Sequence, residues 1–167
     1  MSSTNDHSTF LPSNTQPLPG EPSRTRIRVG LATTFIGLFV FTVGAKPGWF
    51  GWDRSPVVGF IQISVFLIGL AIICIGGYIS LLALWKGAPR TIAADIGLRL
   101  VSTGYVIAVF AGMADVFGMG SQPPPLVPYF GPWQATGVLI GQITIAIGFL
   151  LVIPFHWLNK WSSPSGN

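Results

Sequence analysis

The chain has 167 residues, of which 50% are hydrophobic and 8% charged, and its mean hydropathy is +0.62. A soluble domain carries about 25% charged residues, so that class is excluded. The net charge of +4 and the pI of about 9.7 do not point to nucleic acid either, because the basic residues gather at segment ends rather than on one contiguous face.

Residues 1–23 are polar and rich in Ser, Thr, Asn and Pro. They bury too little apolar area to offset ordering entropy, so a disordered cytoplasmic tail is expected, with His7 solvated in it. The first apolar segment, 29–45, follows Arg24, Arg26 and Arg28. At about seventeen residues it is short for a span. Its end, Val43-Gly44-Ala45, also fits the small-residue pattern of a signal-peptidase site. That leader would be about forty-five residues long and its apolar run exceeds a usual h-region, so an uncleaved signal anchor is expected.

A loop at 46–56 contains Gly and Pro, which break helix, and Trp49, Phe50 and Trp52, which suit the membrane–water interface. The second segment, 57–85, carries no charge over about twenty-nine residues, more than the ~20 that a helix needs to cross a bilayer. At ~1.5 Å per residue it would reach about 43 Å, so it must tilt or run into the headgroup zone, where Trp85 would sit. A basic turn at 86–90 leads to the third segment, 92–117, with Asp95 and Arg99 in its first turns and Asp115 in its last. About fifteen uncharged residues, some 22 Å of helix, separate Arg99 from Asp115. The second loop, 118–133, holds prolines that forbid regular helix and three more interfacial aromatics, Tyr129, Phe130 and Trp133. The last span covers 134–155 and is followed by His156, Trp157 and Lys160. Residues 24–160 thus read as one transmembrane domain and 161–167 as a short second tail.

Arg24, Arg26, Arg28, Lys86, Arg90, Arg99 and Lys160 fall on one side of this layout, and Lys46 and Arg54 on the other. The first side should be cytoplasmic. The expected fold is an all-α integral membrane protein of the plasma or inner membrane. Its four transmembrane helices form a left-handed bundle of two hairpins, with both termini cytoplasmic.

In lipid, burial of apolar area does not drive helices together, so close packing through small residues must do much of that work. Each expected span carries such residues seven apart: Gly30, Gly37 and Gly44; Gly69, Gly76 and Ala83; Gly97, Gly104 and Ala111; Gly141 and Gly148. A seven-residue repeat keeps one stripe facing a neighbour in a left-handed bundle. Gly137 and Gly141 add a GxxxG, suited to a close crossing against a neighbour or a second copy. Gln62-Ile63-Ser64 followed by Ile68-Gly69-Leu70 resembles Gln142-Ile143-Thr144 followed by Ile147-Gly148-Phe149, which fits either a duplication or convergent apolar composition.

Ionisable groups within the membrane are the first place to look for chemistry. Asp95 and Arg99 are i, i+4, a self-neutralising pair or, with Arg90, a contact for a lipid headgroup or partner subunit. Asp115 could pair with Arg54 or Lys46 and tie the hairpins together. Gln62 and Gln142, placed near the outer helix ends, would hydrogen-bond between helices. Cys74 reads as a small packing residue. Neither a bis-histidine nor a CxxCH haem, HExxH, Walker A or GxGxxG can be built from this sequence, so no catalytic role, cofactor or metal is expected. The outer loops could cover a quinone or pigment edge, although interfacial anchoring explains the same residues. The role expected is a structural or accessory subunit held by lipid and by partner spans, or by self-association. The alternative is a small oligomeric transporter or channel using Asp115, Gln62 and Gln142.

Overall fold

The computed structural model describes residues 24–51, 59–85, 89–119 and 130–154. Four helices run through them: α1 (Arg24–Ala45), α2 (Phe60–Leu84), α3 (Ile92–Gly112) and α4 (Pro132–Val152). A short 3-10 turn, Pro47–Phe50, follows α1. All four helices are long and apolar enough to cross a membrane, and no strand occurs among the described residues. Helices are what this composition must form in lipid, where each backbone N–H and C=O has to be satisfied within the segment.

The helix ends show where local chemistry and hydropathy differ. α1 is helical from the first described residue, Arg24, so the helix includes the five residues before the apolar run; arginine is a good helix former and its long side chain can reach water from inside the headgroup zone. Thr91 caps α3 by accepting a hydrogen bond from the Ala94 amide at 3.2 Å. α3 ends at Gly112 rather than near Phe117. The chain beyond it continues in turns and closes in a Schellman motif, with Met119 N–H donating to the Ala114 carbonyl and Gly118 N–H to that of Asp115. Gly118 has φ +73°, the left-handed conformation this closure needs. α4 starts with Pro132 at its first position, after Gly131. The Gln134 side-chain oxygen accepts the Gly131 amide at 2.7 Å, which turns the chain into the helix.

α1 pairs antiparallel with α2, and α3 with α4, each along its length. The two hairpins meet through α2, which touches α3 and α4, whereas no Cα of α1 comes within 8 Å of either. The beginnings of α1 and α3 and the ends of α2 and α4 lie together; this arginine end carries Arg24, Arg26, Arg28, Arg90 and Arg99. The opposite, aromatic end carries Trp49, Phe130 and Trp133. Residues 1–23, Trp52, Arg54, Lys86, Tyr129, His156, Trp157, Lys160 and the tail 161–167 lie outside the described residues, and so do the expectations placed on them.

Candidate functional site

The ten glycines singled out by their spacing all lie at contacts between helices of the same hairpin. In α1 they are the only buried residues, Gly30, Gly37 and Gly44. A Cβ added to Gly37 would sit 2.6 Å from the Ile73 amide nitrogen; one on Gly44 or Gly69 would collide with the backbone of Phe66 or Phe41. Three pairs are reciprocal. A Cβ on Gly30 would meet the Gly76 carbonyl at 2.9 Å and one on Gly76 the Gly30 carbonyl at 2.8 Å. Gly97 with Gly148 and Gly104 with Gly141 repeat the arrangement at 2.6–2.7 Å. With hydrogen in place of Cβ, each carbonyl instead faces a Cα–H, a weak attractive contact. Gly137 faces Ala111 of α3, so the GxxxG of α4 is used within the chain.

Contacts between the hairpins are of another kind. The Trp85 indole nitrogen donates to the Val152 carbonyl at 3.0 Å, satisfying one of the last carbonyls of α4. Trp85, expected at the lipid interface, is turned inward with 6% exposure. The reason is that a buried indole needs an acceptor and an open helix end supplies one. Phe149 of α4 lies over Gly77, and Gly112 faces Ile63 and Leu67 of α2 together with Val138. Spacing could not reveal Gly77, Gly112 or Gln134, since none belongs to a repeat.

The polar groups divide in two. Hydroxyls fold back on their own helices: Thr34 to the Gly30 carbonyl, Ser80 to that of Gly76 and Thr144 to that of Ile140, at 2.8–2.9 Å. Gln62 and Gln142 do not, and neither forms a hydrogen bond among the described residues. The expected interhelical bonds are therefore not made there. Gln142 is also deeper than expected: with α4 beginning at Pro132 it is the middle residue of that helix. Both carboxamides line one cleft of about 380 Å³ at the aromatic end, between the two hairpins, with Phe66, Phe130, Val138 and Leu139. Asp115 does not line it. Gln134, 5% exposed on the buried face of α4, has a side-chain nitrogen with no partner among the described residues.

Asp95 and Arg99 form their i, i+4 pair at 3.7 Å, with side chains 55% and 83% exposed, beside Arg90. At that exposure the pair contributes a few tenths of a kcal/mol at most. Asp115 is half-buried and forms no ion pair with Lys46, whose ammonium lies 5.6 Å from the Trp49 ring centre. Arg54, the other suggested partner, is outside the described residues. Trp49 and Trp133 are exposed at the aromatic end, 73% and 82%. Cys74 packs at the edge of the core and lines a second groove between α2 and α3, with Tyr78 and Tyr105. Among the described residues no three His, Cys, Asp or Glu side chains come together. Compared with protein families, with curated proteins and with solved structures, the chain finds no match in any of the three.

Proposed function

We propose that this chain is a non-enzymatic accessory component of a membrane assembly, its arginine end and both termini cytoplasmic and its helices wound in a left-handed bundle. The observation that carries the reading is the open side of the first hairpin. α1 rests on α2 alone and turns Val29, Leu31, Phe35, Ile36 and Phe39 outward without a charge among them. The glycine stripes are occupied within the hairpins, so a partner span would pack on this bulky face instead. The orientation is supported by the arginines gathered at one end. The hand is supported by buried residues three and four apart along α4: Gln134, Val138, Gly141, Ile145, Gly148 and Val152.

Extraction of the tagged protein in gentle detergent, followed by native mass analysis, tests the reading. Larger subunits in fixed ratio support it; a chain that runs alone overturns it. The second reading, a small transporter, is favoured by Gln62 and Gln142 sharing one cleft. Ion flux in liposomes that disappears in Gln142→Leu would establish it, and silent liposomes would remove it.

A further inference from the structure

Two carboxamides without hydrogen-bond partners among the described residues open into one space within the membrane. Gln62 is the third residue of α2 and Gln142 lies ten residues into α4, about 15 Å from its start at the standard rise. The cleft therefore extends from helix-end depth to mid-membrane. A carboxamide left bare in hydrocarbon is unfavourable, whereas nearby Ser64 and Thr144 avoid that by donating back to the Phe60 and Ile140 carbonyls. A polar group entering the cleft would satisfy both carboxamides, above all that of Gln142 at mid-helix.

We propose that this cleft binds an uncharged, lipid-soluble ring compound carrying carbonyl or hydroxyl oxygens, of the quinone or phenol class. Its walls supply what such a molecule needs. Phe66 of the first hairpin and Phe130 of the second offer ring faces and edges, and Val138 and Leu139 add apolar surface. The amide groups of Gln62 and Gln142 donate to oxygens at two depths and accept from a hydroxyl. Among the described residues no charged side chain lines the cleft, which fits a neutral ligand better than a phospholipid headgroup. Arg24, Arg26, Arg28, Arg90 and Arg99 lie at the other end, and the Lys46 ammonium sits over the Trp49 ring. About 380 Å³ falls within the roughly 300–1,000 Å³ of small-molecule sites. Entry is sideways from the bilayer, between hairpins that touch through α2 alone.

The test is a calorimetric titration of the purified full chain in lipid nanodiscs with decylubiquinone, against empty nanodiscs for partitioning. The account expects saturable one-to-one binding. Gln62→Leu and Gln142→Leu should each weaken it about tenfold, the worth of one hydrogen bond, and Leu139→Trp should abolish it by filling the cleft with both glutamines intact. Unchanged thermal unfolding of the variants would place these losses in the cleft. The proposal is overturned if wild type shows no saturable binding or if the three variants bind as wild type does. It is also overturned if a phospholipid co-purifies with wild type, is missing from Gln142→Leu and resists displacement by the probe. Whether larger subunits co-purify does not enter the result, so this proposal and the accessory role can fail separately.

Discussion

The interfaces inside the hairpins and the interface between them are built on different principles. Inside, backbone meets backbone: glycine stripes bring carbonyls against the opposing helix, and there is no room for even one more methyl group. Between them, side chains reach across: Trp85 to a helix end, Phe149 over Gly77, Ile63 and Leu67 against Gly112. The first kind suits lipid, where close van der Waals contact and satisfied backbone are what hold helices together. The second leaves clefts, and one of them holds Gln62 and Gln142, which have no hydrogen-bond partner among the described residues.

Single-methyl substitutions would sharpen this contrast, because each gains about 1 kcal/mol of helix propensity and differs in what the methyl meets. Gly69→Ala drives a Cβ into the Phe41 backbone, which cannot yield without separating α1 from α2. We expect a net loss of about 2 kcal/mol or more in a reversible unfolding assay in detergent or bicelles. Trp85→Phe comes next. It leaves the Val152 carbonyl without its buried donor and should cost about 1–2 kcal/mol, with hydrogen exchange rising at the ends of α2 and α4 but not along α1. Gly77→Ala should lie within about 1 kcal/mol of wild type, since the atoms nearest its Cβ belong to the movable tip of Phe149, the first at 2.7 Å. At Gly112 the nearest atoms lie at 3.4 Å, so Gly112→Ala should be neutral or slightly stabilising. The smallest loss belongs to Asp95→Asn, a few tenths of a kcal/mol that fade as salt is raised. Equal losses for Gly69→Ala and Gly112→Ala would break the comparison.

The same contrast governs what could be read from the residues alone. The four helices were legible because lipid imposes one solution on long apolar runs. The stripes were legible because a residue every seventh position returns to one face, as Gly30, Gly37 and Gly44 do. Side-chain reach has no period. Trp85 reads as an interfacial anchor until the Val152 carbonyl is seen beside it. The loop prolines conceal that Pro132 opens α4, and composition alone places the start two residues later. Gln142 consequently looked close to an end when it lies at the middle. That Gln62 and Gln142 share a cleft depends on how one hairpin leans on the other, which neither segment encodes by itself.

Two firm hairpins joined lightly through α2 is the central claim, and spin-label distance distributions in bilayers test it most directly. On a Cys74→Ser background, labels would go at exposed positions: Phe39 with Ile68 inside the first hairpin, Val106 with Ile140 inside the second, and Phe39 with Val106 across them. Narrow distributions within each hairpin and a clearly broader one across them are the predicted result. A pair within either hairpin as broad as the pair across would contradict the account.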